Sequence, residues 1–104
     1  MHRVAFKMKL FRGCESEYSK RHDEIWDELK VLLKNSGISD YSIFLDRSTG
    51  ELFACLTIDD RKNLEKLANE DVMKKWWSYM KDVMETNLDN SPATVALEEV
   101  FYLR

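Results

Sequence analysis

The sequence predicts an α+β fold: a ferredoxin-like antiparallel sheet with its helices on one face. Three observations lead there. Short segments around residues 4–10, 41–45 and 52–58 alternate or run apolar as strands do, and the stretches between them repeat apolar residues at helical spacing. Taken in order, the elements read strand–helix–strand–strand–helices–strand. At 104 residues there is room for one domain, 1–104, and no second. A chain of this size buries roughly 60–70% of its unfolded surface, and 44% hydrophobic residues supply a core.

The first strand rests on Val4, Phe6, Met8 and Leu10, which alternate with Ala5, Lys7 and Lys9. A long helix is expected from about Ser16, with Tyr18, His22, Ile25, Trp26, Leu29, Leu32 and Leu33 in one stripe. Gly37 is placed to end it in the left-handed conformation. Tyr41, Ile43 and Leu45 open a second strand, Asp46 to Glu51 form a hairpin loop, and Leu52 to Ile58 return. Asp59 and Asp60 start a short helix bearing Leu64, Leu67 and Ala68, their carboxylates suiting the positive end of its dipole. Asn69 to Asp71 start another, with Met73, Trp76, Trp77, Met80 and Met84 as its stripe. Glu85 to Pro92, rich in Asn and Asp and holding the only proline, is a loop, and a strand of about Leu97 to Leu103 closes the chain.

Phe44, Phe53 and Cys55 fall on the opposite strand face from Ile43, Ala54 and Leu56, yet they too are apolar. An antiparallel sheet with one solvated face should alternate cleanly. A second copy of the chain is the simplest cover for that face, which predicts a homodimer.

The formal charge of −3 and a pI near 5.4 argue against a nucleic-acid or anionic-membrane partner. Lys74–Lys75 beside two tryptophans reads as a solvated helix face. The N-terminus alternates and has no signal-peptide core, and no run approaches the ~18 apolar residues of a spanning helix. Cys14 and Cys55 suggest no disulfide framework, so a reducing cytoplasm is expected. With only His2 and His22 and no close Cys pair, no zinc ligand set is present and no cofactor is expected.

His22 is the one residue whose side chain titrates near neutrality and points from an apolar stripe, four residues after Tyr18. A lone histidine in such a place is more often a satisfied core residue than a catalyst. Trp76 and Trp77 are about 100° apart on a helix, so both cannot point at one core, but both can border a cleft. Flat indoles suit the C–H faces of a sugar, and their N–H groups can bond a hydroxyl.

Five blocks then carry a resemblance: Arg21 to Glu28 (RHDEIWDE), Tyr41 to Asp46 (YSIFLD), Trp76 to Met84 (WWSYMKDVM), Asp89 to Pro92 (DNSP) and Glu99 to Leu103 (EVFYL). In order and at matching spacing over essentially the whole chain, they resemble the L-rhamnose mutarotase family. The resemblance implies a cytoplasmic homodimer with a dimeric α/β-barrel fold that interconverts the α and β anomers of L-rhamnose without a cofactor. It implies His22 as proton donor and Tyr18, Tyr41, Trp76 and Trp77 as sugar-binding residues. The family often carries proline where this chain has Asp27. A proline inside the helix would remove one hydrogen bond and kink the chain after His22, so its loss is expected to change the aim of His22.

General acid–base chemistry by one imidazole, typically worth 10²–10⁴-fold, suits a reaction that already proceeds in water. Asp82, Asp46 and Glu28 are the candidates for a complementary base. Two rival readings are a haem-degrading monooxygenase with His22 as axial ligand, and a non-catalytic dimerising module with His22 buried and satisfied.

Overall fold

The computed structural model describes residues 1–104. The elements are β1 (His2–Lys9), α1 (Glu15–Asp23), α2 (Asp27–Asn35), β2 (Ile38–Asp46), β3 (Glu51–Ile58), α3 (Lys62–Leu67), α4 (Asp71–Met80) and β4 (Val95–Leu97). The four strands form one antiparallel sheet in the order β2-β3-β1-β4. The expected α+β, ferredoxin-like architecture is what the chain adopts.

Register follows from which residues must be buried. Val4, Phe6 and Met8 of β1 oppose Leu56, Ala54 and Leu52 of β3, and Ile43 and Leu45 of β2 oppose Ala54 and Leu52. These residues form the sheet's contribution to the core, against Leu29 of α2, Leu67 of α3 and Trp76 and Met80 of α4. The other face carries Phe44 opposite Phe53, with Val95 and Leu97 also exposed. Apolar residues therefore do lie on both faces of the sheet.

A bulge solves a parity problem in β2. Ile38 and Tyr41 are an odd number of residues apart, which would put them on opposite faces. The register slips between Ser39 and Ser42, and Asp40 takes a positive φ of 51°. The extra residue lets Ile38 enter the core while Tyr41 keeps the inward side with Ile43 and Leu45.

The long first helix is two helices. α1 ends at Asp23 with Glu24 as its cap (φ −104°, ψ 27°), and Trp26 (φ −61°, ψ 137°) is extended before α2 begins at Asp27. The break needs neither proline nor glycine. Trp26 leaves the helical path to stack on Tyr79, ring centroids 5.6 Å apart, and to meet Trp76 edge-on at 5.1 Å. Asp27 is the first residue of α2, where a backbone N–H has no intrahelical acceptor in any case. A proline there would sit at a tolerated position and cost no bond, so the expectation of a kink that depends on it is corrected.

Gly37 (φ 84°) ends α2 as expected; its left-handed backbone favours glycine, and a Cβ there would press on the Asp59 side chain at 3.0 Å. Asp60 accepts the Lys62 N–H at 3.0 Å and caps the first turn of α3.

The closing strand lies earlier than the expected Leu97 to Leu103, sharing only Leu97 with it, and is much shorter. Only Val95–Leu97 pair with β1, opposite Lys7, Phe6 and Ala5. From Glu98 onward the tail is tied by side chains instead of backbone: Arg3 Nε donates to Glu99 at 2.8 Å, and its guanidinium lies 3.2 Å from the centre of the Tyr102 ring. Val100, Phe101 and Leu103 remain exposed. No helix is long and apolar enough to cross a membrane.

Candidate functional site

A cavity of about 520 Å3 lies between the sheet and the helices, within the ~300–1,000 Å3 common for small-molecule sites. Tyr18 and His22 reach it from α1, Tyr41 from β2, and Trp76 and Trp77 from α4. All five residues singled out in the sequence therefore border one space. A second hollow of about 560 Å3 shares Tyr18, His22, Tyr41 and Trp76 with it.

Tyr18 and His22 are one helical turn apart, so their rings lie one above the other, centroids 4.4 Å apart. Trp76 meets the imidazole edge-on at 5.4 Å. His22 Nδ1 is 2.9 Å from the Tyr18 carbonyl oxygen. A carbonyl only accepts, so Nδ1 carries the hydrogen, and in the neutral ring Nε2 keeps its lone pair. Burial lowers the His22 pKa from its ordinary value, opposed in part by the Tyr18 carbonyl and by Asp23. At neutral pH the imidazole is thus an acceptor at Nε2.

The phenols behave oppositely. Burial raises Tyr18, and Tyr41 adds to the effect. Tyr41 as a residue is 40% exposed, yet burial of its phenol group pushes it up to about 12. Both hydroxyls stay protonated and able to donate. Trp76 is buried and Trp77 half-buried, which is how two adjacent indoles share a border.

None of the three carboxylates considered as complementary bases lines the cavity. Asp82 accepts Arg21 Nη1 at 2.9 Å, which holds its carboxyl below the usual range. Arg21 also donates to Glu17 at 2.7 Å and to the Tyr79 carbonyl at 2.6 Å, fastening α1 to the end of α4. Asp46 accepts the Ser48 N–H and hydroxyl in the hairpin turn. Glu28 is exposed on α2. Nowhere do three or more His, Cys, Asp or Glu side chains gather as a metal site would require.

Sequence reasoning missed the polar residues that the cavity gains from one segment, Thr86, Asn87, Asn90, Ser91 and Thr94. That segment reads as a loop, and a loop's side chains follow no period that would aim them.

The family model for L-rhamnose mutarotase matches residues 3–103. An L-rhamnose mutarotase of Formosa agariphila is 50% identical over 103 residues, covering 99% of both chains. That of Lachnoclostridium phytofermentans is 48% identical over the same length, again with 99% of each chain covered. A crystal structure of an L-rhamnose mutarotase from Formosa agariphila superposes with a TM-score of 0.93 at 49% identity, over the whole of both chains. A crystal structure of an antibiotic biosynthesis monooxygenase shares the fold, with a TM-score of 0.63 at 12% identity, covering 96% of this chain and 99% of that one. With its sequence and its backbone matched from end to end, the chain belongs to the L-rhamnose mutarotase family.

Proposed function

We propose that this protein interconverts the α and β anomers of L-rhamnose, with residues 1–104 working as one domain. The observation that carries the reading is the convergence of His22, Tyr18, Tyr41, Trp76 and Trp77 on one cavity, in a chain of this family. The tryptophans and tyrosines hold the sugar, and His22 moves the proton.

A single imidazole suffices for both transfers. The anomeric hydroxyl oxygen and the ring oxygen are bonded to the same carbon, so both lie within reach of one Nε2. His22 Nε2 takes the proton of the anomeric hydroxyl, the bond between C1 and the ring oxygen breaks, and C1 becomes an aldehyde. The same proton is then donated to the ring oxygen, which leaves the imidazole neutral again. Rotation about C1–C2 and the reverse steps close the ring on its other face. His22 is in this scheme the proton donor to the ring oxygen, and no carboxylate is needed as a second proton-transfer group.

The resting base must be neutral, which fixes the pH dependence. The limiting rate is expected to be flat at and above neutrality and to fall as pH drops through the lowered pKa of His22. Polarimetry on freshly dissolved α-L-rhamnose measures this directly. A rate that instead falls as pH rises through 7 would show that the resting imidazolium is the active form.

We further propose a homodimer of the dimeric α/β-barrel type, closed over the outer sheet face where Phe44 and Phe53 are paired and exposed. Light scattering in dilute solution should return twice the chain mass of 12.3 kDa; a monomer mass contradicts this. The reading places the protein in a reducing cytoplasm, in keeping with two free cysteines.

A further inference from the structure

Between α4 and β4, the turn from Asn87 to Ser91 contains four polar residues, Asn87, Asp89, Asn90 and Ser91, which divide by what their side chains touch. Asn87 Nδ2 donates to Ser91 Oγ at 3.0 Å and to the Pro92 carbonyl at 3.2 Å. Asp89 Oδ1 accepts the Ser91 N–H at 3.0 Å. Backbone bonds close the turn, from Asn90 N–H to the Asn87 carbonyl at 3.0 Å and from Asn87 N–H to the Ser91 carbonyl at 2.7 Å. Three of the four side chains are thus spent on building the turn. The Asn90 carboxamide makes no hydrogen bond to the protein.

Its backbone is unusual too. Asn90 has a φ of 70°, in the left-handed region that asparagine tolerates better than most residues. The turn leaves Leu88 and Asp89 in solvent and brings Asn90 back, half-buried, to line the cavity. A pre-formed turn thereby places at the cavity's border a residue whose carboxamide, with two donor hydrogens and one acceptor oxygen, has no protein partner.

His22 acts at C1, and the aromatic faces contact C–H groups, which discriminate poorly among sugars that differ in one hydroxyl. Discrimination of that kind comes from polar groups that are left unpaired by the wrong substrate. Beyond His22, the tyrosine hydroxyls and the indole N–H groups, the polar side chains of the lining come from residues 86–94. The turn feeds β4 at one edge of the sheet, whereas Tyr41 sits on β2 at the other. The cavity therefore receives polar groups from both edges.

We infer that Asn90 is a specificity-determining residue, its carboxamide bonding neighbouring hydroxyls on C2 to C4 of the pyranose; this rests on the mutarotase reading above. Asn87, Asp89 and Ser91 act as positioning residues that hold Asn90 in its left-handed conformation.

Asn90→Gly tests it, since glycine accepts a φ of 70° without strain and removes only the carboxamide. The variant should melt within a few degrees of wild type, show a KM for L-rhamnose raised about tenfold, and keep kcat within about twofold. Monodeoxy forms of L-rhamnose at C2, C3 and C4 give the sharper readout. Wild type should bind at least one of them about tenfold more weakly than L-rhamnose, and Asn90→Gly should lose most of that difference.

An unchanged KM overturns the inference. So does a raised KM with the wild-type pattern of discrimination among the deoxy sugars, because that marks a purely structural turn. Titrating sugar binding by NMR separates this from the parent reading. A wild-type protein that binds L-rhamnose but never exchanges its anomers defeats the mutarotase assignment, while the binding comparison still decides the role of Asn90.

Discussion

His22→Ala is expected to slow anomer exchange by about 10²–10⁴-fold, the usual contribution of a general acid–base group. The dimer should persist and the melting temperature should change little, because the half-buried ring borders a cavity instead of filling the core. His22→Gln should also slow exchange, and it exposes a linked effect on stability. The folded imidazole resists protonation, so between the ordinary value near 6.5 and its lowered value the unfolded chain binds more protons. Stability from this source is complete above pH 6.5 and declines as pH falls through that window. Denaturant melts at several pH values should show a shallower decline in the glutamine variant. A His22→Ala protein with wild-type exchange would place the proton transfer elsewhere.

The two adjacent tryptophans should part company. Trp76 is only 6% exposed and packs its ring against His22, Trp26 and Tyr79. Trp76→Ala removes that packing from the larger core cluster and should cost about 3–5 kcal/mol, a large share of a small domain's stability. Trp77 is half-buried, so Trp77→Ala should melt near the wild-type temperature and raise KM more than it lowers kcat. Equal destabilisation by the two changes would show that both indoles serve the core alike. Thermal melts and rhamnose titrations on the two variants make the comparison.

The sheet was legible because its inward residues obey a period of two. Val4, Phe6 and Met8, and Leu52, Ala54 and Leu56, needed nothing beyond alternation to be placed. Where periods clash, the sequence misleads. Ile25 and Trp26 continue the apolar stripe of α1, so the stripe alone runs through a break that aromatic packing imposes; the acidic pair Asp27–Glu28 at the start of α2 was the local signal available. Val100 to Leu103 read as strand by composition, but a strand needs a partner, and Arg3 engages Glu99 and Tyr102 through side chains. His22, Trp76 and Trp77 could be singled out because helices aim side chains predictably, and Tyr41 shares the period of Ile43 and Leu45, while the sugar-binding roles came with the family resemblance. The bulge that brings Ile38 into the core left no such signal, and Asn90 needed a turn whose geometry depends on three neighbouring side chains.

Saturation-transfer NMR between the two anomeric proton signals of L-rhamnose tests the central claim most directly, because it reads exchange at equilibrium in the free sugar. With micromolar protein, irradiating one anomeric signal should diminish the other well beyond the protein-free control, with no metal or cofactor added. The effect should be the same after treatment with a chelator and nearly absent with His22→Ala. Transfer no greater than in the protein-free control, or transfer abolished by the chelator, would contradict the account.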